Sequence, residues 1–200
     1  MIDLLANEIA KGLIETGIEG PFDAVSCSTA GDYPSLGCSQ WEGQRANNLL
    51  SWIDGGKQFM SRTYSDIANS GELPALKALL DSEQGRTAQR EILKADCIEY
   101  VKAIQTVPTM DDTRCVIYAG MWCPTSHIVV QAFLRHRWSI WNLRSLETLR
   151  NLFRDQYYIA ADVGEQYAQG YANRAEITYQ YVAGLYIPGI PEYGHAGNGR

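Results

Sequence analysis

The chain has 200 residues, of which 46% are hydrophobic and 20% are charged, and these fractions indicate one folded domain, or two small ones sharing a core. The formal net charge of −6 argues against a general nucleic-acid binder, which needs a basic surface to neutralise phosphates. No apolar run approaches the roughly 18 residues of a transmembrane helix, and residues 1–8 lack the pattern of a signal peptide. These features predict a protein that is made in the cytoplasm and has no transmembrane segment.

The elements predicted along the chain are mainly helices. Apolar residues recur at helical spacing from Leu4 to Ile14, and glycines at 17 and 20 suit the end of that helix. Residues 21–40 are rich in Gly, Ser, Thr and Asp, which predicts turns around a short β-hairpin. Helical patterns then cover residues 41–54, 73–80, 85–104, 116–122, 127–137, 143–153 and 163–185. The predicted fold class is mainly α (α+β), with a small hairpin near the N-terminus.

The C-terminal segment differs from the rest in composition. Residues 188–200 hold several glycines and prolines and few apolar side chains, so we expect a flexible tail or linker after a folded domain of residues 1–187.

The cysteines and histidines give no metal-binding pattern. Five cysteines without C-x-x-C spacing exclude a zinc site of paired knuckles and make a disulfide framework unfavourable, although Cys27 and Cys38 could pair across the hairpin. The three histidines have no ligand spacing, so neither a metal nor a cofactor is predicted. Cys123 and His127 are close enough in sequence to suggest a thiol dyad, but their apolar surroundings favour a structural role.

The region after residue 134 is locally basic. It contains Arg135, His136 and Arg137 and then three further arginines, Arg144, Arg150 and Arg154. A solvated helix face is the favoured interpretation, and contact with an anionic glycan or peptide is the alternative.

Glu19 stands at the end of the first predicted helix, directly before the polar hairpin. Glycoside cleavage needs a partly desolvated carboxylic acid that protonates the leaving oxygen, and a second group that positions water or stabilises the transition state. On spacing alone, a glutamate at a helix end is more often a solvated surface residue.

Two segments around the hairpin carry a family resemblance. Residues 19–26 (EGPFDAVS) and 35–50 (SLGCSQWEGQRANNLL) together resemble lysozyme-type peptidoglycan hydrolases of phages and Gram-positive bacteria. Residues 79–100 and 171–179 are similar to later helices of that group, so the resemblance covers roughly residues 10–185. The most specific part is the Gln-Trp-x-Gly-x-Arg-Ala element that begins at Gln40.

The resemblance implies a lysozyme-like fold, related to those of phage-type lysozymes and chitosanases. It makes Glu19 the catalytic general acid and places Ser35 near a hydroxyl that orients the attacking water. The chain departs from the family pattern before Ser35, so the second catalytic group stays open between Asp32, the favoured candidate, and Asp23.

Three neighbouring residues are candidates for substrate binding. The Gln40 amide can both donate to and accept from sugar hydroxyls or N-acetyl groups. Trp41 offers a flat apolar face for a pyranose, or else anchors the hairpin as a core residue. Arg45 could bind a stem-peptide carboxylate, but a structural pair with Glu42 or a buried acid is favoured.

The function implied is cleavage of peptidoglycan glycan strands between N-acetylmuramic acid and N-acetylglucosamine. Three alternatives remain: an inactive wall-binding or virion structural module, a lytic transglycosylase, and a chitosanase, whose cationic substrate suits an acidic protein. Because no signal peptide is visible, access to the wall or periplasm would depend on a delivery or anchoring partner, such as a holin, a secretion machine or a virion.

Overall fold

A computed structural model describes residues 1–28, 30–190 and 192–193. In chain order its elements are α1 (Ile2–Thr16), β1 (Val25–Cys27), β2 (Pro34–Leu36), α2 (Gly43–Ser51), α3 (Tyr64–Asn69), α4 (Leu73–Asp81), α5 (Glu83–Gln105), α6 (Thr113–Gly120), α7 (Cys123–Arg135), α8 (Leu146–Ala160) and α9 (Ala168–Ala183). The two strands pair antiparallel, which confirms the predicted mainly α fold with a small hairpin near the N-terminus. Among these residues, no helix is both long and apolar enough to cross a bilayer.

The chain divides into two compact units. We call Leu13–Asp96 the hairpin unit, and Met1–Gly12 with Cys97–Arg200 the helical unit. The boundaries fall inside α1 and α5, so each of these helices contributes residues to both units.

The hairpin unit contains every residue proposed above for catalysis or substrate binding. In the hairpin, Val25 pairs with Leu36, Ser26 with Ser35, and Cys27 with Pro34. The fully buried side chains of this unit include Leu36, Trp41, Leu49, Leu50, Phe59, Leu76 and Leu80. Helix α3 was not expected from the periodicity, because it has only six residues and begins at a polar cap, Thr63, whose side chain accepts from the Asp66 N–H.

A buried glutamine joins three segments of the hairpin unit. Gln89 of α5 is fully buried, and its Oε1 accepts from the Cys38 N–H at 2.9 Å. Its Nε2 donates to the Phe22 carbonyl at 3.1 Å and to the Leu80 carbonyl at 2.9 Å. The loop before β1, the turn after β2 and the end of α4 are therefore bound to one side chain.

The helical unit is built around a helix that is buried on all sides. Every residue of α6 after Thr113 is buried, and Asp112 caps the start of the helix by accepting from the Cys115 N–H. Aromatic rings pack beside it: Trp122 lies 4.7 Å from Phe153 and 5.1 Å from Tyr157, centroid to centroid. Area burial and ring geometry both favour such pairs.

Two predicted segments of this unit differ in detail. The last helix begins at Ala168 rather than near residue 163, after a short 3-10 turn at Glu165–Tyr167. In the segment predicted as a tail, the ring of Tyr193 packs edge-on against Tyr179, with centroids 6.2 Å apart. Residues 191 and 194–200 of that segment lie outside the described residues.

Replacing Gly37 by alanine tests how much the Gln89 hydrogen bonds contribute to stability. Its φ is +68°, and a Cβ there would collide with Oε1 of Gln89, whereas Gly43 has a φ of +54° with nothing within 4 Å of a Cβ. Both Gly→Ala variants incur the strain of a left-handed residue, about 1–2 kcal/mol. Gly37→Ala also disturbs buried hydrogen bonds, which costs about 1–3 kcal/mol more. Denaturant unfolding measures the difference, and equal losses in the two variants would contradict this role of Gln89.

Candidate functional site

Glu19 lies in the loop that joins α1 to the hairpin. The loop turns through two glycines with positive φ, Gly17 at +61° and Gly20 at +141°. Glu19 is half-buried, and its Oε1 atom is shielded from solvent. The chain thus holds one carboxylate oxygen inside the protein surface immediately before the polar strands.

Gln40 lies beside this loop and bonds to β1 and to the turn after β2. Its backbone is left-handed, with φ 49° and ψ 50°, and its Nε2 donates to the Gly37 carbonyl at 3.0 Å. Its Oε1 accepts from the Ser26 hydroxyl at 2.6 Å, and a Cβ on Gly20 would lie 3.7 Å from Nε2. Gln40 is therefore next to the residue that follows Glu19. Its amide retains one donor and one acceptor position beyond these two bonds.

Ser35 is less available than the sequence suggested. Its side chain is buried, and its hydroxyl donates to Oε1 of Glu42. Its cross-strand partner Ser26 is exposed and bonded to Gln40. Ser26 was not a sequence candidate. The hairpin register could have identified it, but the sequence did not define that register.

Asp32 is exposed and bonded to the start of α3. Its Oδ1 accepts from the Ser65 backbone N–H at 2.9 Å and from the Ser65 hydroxyl at 3.0 Å, and its own carbonyl accepts from the Tyr64 N–H at 3.2 Å. The backbone bond from Ser65 is the main reason that the pKa of Asp32 is lowered. The structure thus gives Asp32 a role in attaching the hairpin turn to α3.

Asp23, the other candidate for the second carboxylate, is half-buried in the loop before β1. Asp23 interacts electrostatically with Arg86. The pKa of Arg86 is raised first by its hydrogen bond to Asp81, then by the charge of Asp81, and to a smaller extent by the charge of Asp23.

Trp41 and Arg45 share one partner. Trp41 is fully buried and its Nε1 donates to Oδ2 of Asp96 at 2.8 Å, while Nη2 of Arg45 bonds the same oxygen at 2.5 Å. The Trp41 ring therefore offers no face on which a sugar could stack. Of the two roles considered for Trp41, the structure supports anchoring of the hairpin. Arg45 thus forms a structural ion pair with an acidic residue, Asp96.

The competing thiol dyad does not have the geometry of an activated nucleophile. Cys123 is buried, which raises the pKa of its thiol, and its Sγ donates to the Ala119 carbonyl at 3.5 Å. The His127 ring packs against Tyr100, with centroids 6.0 Å apart. All five cysteines are free thiols. Within the described residues, no group of three or more His, Cys, Asp or Glu could hold a metal ion, and His195 lies outside them.

In comparisons with protein-family models, curated proteins and solved structures, nothing matches this chain. The likeness to lysozyme-type hydrolases consequently depends on the sequence segments around Glu19 and the hairpin.

The contacts of Asp32 predict a measurable pH dependence. Because its folded pKa is lowered, Asp32 contributes stability that is complete above the unfolded value of 3.8 and is lost as the pH falls through the folded value. An NMR titration should give a carboxyl pKa below 3.8, raised in part by Ser65→Ala, which removes only the hydroxyl bond. The difference in unfolding free energy between the wild type and Asp32→Asn should shrink as the solution is acidified. A pKa at or above 3.8 would show that the contact with α3 is absent.

Proposed function

We propose that this protein is a muramidase-type peptidoglycan hydrolase that uses Glu19 as its general acid. The observation that supports it most is the position of Glu19, a half-buried carboxylate in the loop between α1 and the hairpin. The family resemblance of residues 19–26 and 35–50 adds the substrate class. No metal or cofactor is required for this chemistry.

In the proposed reaction, Glu19 donates its proton to the glycosidic oxygen as the bond to the anomeric carbon breaks. The sugar ring develops positive, oxocarbenium-like charge, and a water molecule attacks the anomeric carbon. The water then loses one proton, which restores the protonated Glu19 carboxyl. Ser26 and Gln40 form a joined polar pair beside the Glu19 loop, and their remaining hydrogen-bonding positions suit orientation of that water or of a sugar hydroxyl.

A lytic transglycosylase is the second candidate, because of the contacts of Asp32. In that reaction the substrate's own hydroxyl replaces water, so a second carboxylate is not needed. The Asp32 carboxylate is already bonded to Ser65, which leaves Glu19 as the acid best placed for chemistry beside the hairpin. Both candidates use Glu19 in the same first step.

The role of Glu19 is tested by Glu19→Gln, which keeps the shape of the side chain and removes the acidic proton. We expect at least about a 100-fold loss in the rate of release of soluble fragments from purified cell walls, the usual effect of removing a general acid. Glu15→Gln is the matched control, since Glu15 is an exposed glutamate near the end of α1, four positions before Glu19 in the chain. If Glu19→Gln digests walls as fast as Glu15→Gln, Glu19 is not the general acid.

The products distinguish the reaction types. Mass spectrometry of the released fragments should show reducing ends for a hydrolase and anhydro ends for a lytic transglycosylase, and we expect reducing ends. A parallel digest of chitosan should release nothing. Turnover of chitosan alone would identify a chitosanase, and wall binding without any product would identify an inactive module.

A further inference from the structure

The segment between α7 and α8 exposes three large apolar side chains. We call residues 137–141 the aromatic turn. Trp138, Ile140 and Trp141 are exposed to 42%, 76% and 45%, although side chains of this type are usually buried. All three lie in the helical unit, and none is part of the proposed catalytic site.

The backbone of the aromatic turn is ordered by hydrogen bonds that continue from α7. The Trp138 N–H donates to the Leu134 carbonyl at 3.1 Å, and the Trp141 N–H donates to the Arg137 carbonyl at 2.9 Å. Residues three apart in helical turns are neighbours, so we expect the two indole rings on one side of this segment. The exposed tryptophans therefore lie in a hydrogen-bonded turn, in which the backbone N–H group of each already has an acceptor.

The charge around the aromatic turn is opposite in sign to that of the whole chain. Residues 135–144 contain three arginines and no carboxylate, in a protein of net charge −6. Arg144 pairs with Asp111 at 2.6 Å, and Arg137 is half-buried against Phe133, but Arg135 is exposed and bonds the neutral hydroxyl of Thr106 at 3.0 Å. Arg135, three positions before Trp138 in the chain, thus bonds a neutral group and keeps its positive charge.

We propose that the aromatic turn binds the surface of an anionic lipid membrane. Indole rings favour the interface between head groups and hydrocarbon, Ile140 supplies a purely apolar group, and Arg135 faces the lipid phosphates. This inference does not depend on the proposed function, because it uses none of the residues around Glu19.

Two other occupants fit the same residues less well. A glycan would stack on the tryptophan rings. It would not stack on Ile140, which has no flat face although it is the most exposed of the three apolar side chains in the turn. A stable protein partner typically covers about 800 Å² on each side, which is far more than one turn provides. Binding to an anionic membrane surface needs only a few inserted apolar side chains and a positive charge nearby.

The test is co-sedimentation with sucrose-loaded vesicles, either of pure phosphatidylcholine or of equal parts phosphatidylcholine and phosphatidylglycerol. The wild-type chain should sediment with the anionic vesicles and only weakly with the neutral ones, and added salt should weaken the binding. Sedimentation with neither vesicle, or equally with both, overturns the proposal.

Matched variants separate the two contributions. Ile140→Ser should weaken binding to anionic vesicles by about tenfold, because an apolar side chain is no longer inserted. Ile159→Ser should leave it unchanged, since Ile159 is exposed to 65% but lies outside the turn. Arg135→Gln should weaken binding by about fivefold, and Lys77→Gln, which removes an exposed charge from the hairpin unit, should not.

These substitutions are at exposed positions, so their far-ultraviolet circular dichroism should match that of the wild type. Equal vesicle binding by Ile140→Ser and the wild type overturns the proposal. So does a Trp141→Ser variant that changes the oligomeric state in ultracentrifugation while binding vesicles normally, because the turn would then contact a second copy of the chain.

Discussion

The buried side chain of Gln89 is the constraint on which the hairpin unit depends. Its three hydrogen bonds reach the Phe22 and Leu80 carbonyls and the Cys38 N–H. A buried amide that loses one hydrogen-bond partner destabilises the folded state by about 1–3 kcal/mol. The folded state therefore strongly favours keeping all three bonds. They hold the loop after Glu19 and the turn after β2 against the same residue of α5. Gly37 is required in that turn because any side chain there would occupy the space of the Gln89 amide.

Local patterns carried enough information to predict the mainly α fold and the hairpin. Helical periodicity and the Gly-rich composition of residues 21–40 are properties of short stretches of sequence. The position of Glu19 beside the hairpin could be predicted because Glu19 directly precedes the polar segment in the sequence. The long-range contacts were not predictable in this way. Gln89 looks like an ordinary polar residue of a helix, and its partners are up to 67 positions away. The bonds from Asp32 to Ser65 were not predictable for a related reason, since α3 is too short to show periodicity.

The segment that carries the most specific resemblance has a structural explanation. Trp41 and Arg45 are four residues apart and both donate to one oxygen of Asp96, 55 and 51 positions later in the chain. The spacing of Trp and Arg in the Gln-Trp-x-Gly-x-Arg-Ala element therefore serves to attach the hairpin and α2 to α5. This spacing reflects how the unit is built, while Gln40 of the same element has hydrogen-bonding capacity near the Glu19 loop. The case for glycoside chemistry consequently depends on Glu19 more than on the longest matching motif.

The net charge of −6 says little about either proposed activity, because charges are screened beyond about 8–10 Å at physiological salt. What matters is the local arrangement, and it differs between the two units. Beside the Glu19 loop, the hydroxyl of Ser26 and the amide of Gln40 are joined by a hydrogen bond, and such groups suit positioning of sugar and water. Beside Trp138 and Trp141 the sequence supplies only arginines as charged residues. Because Glu19 belongs to the hairpin unit and the aromatic turn to the helical unit, the two proposed activities use different residues and should be separable by mutation.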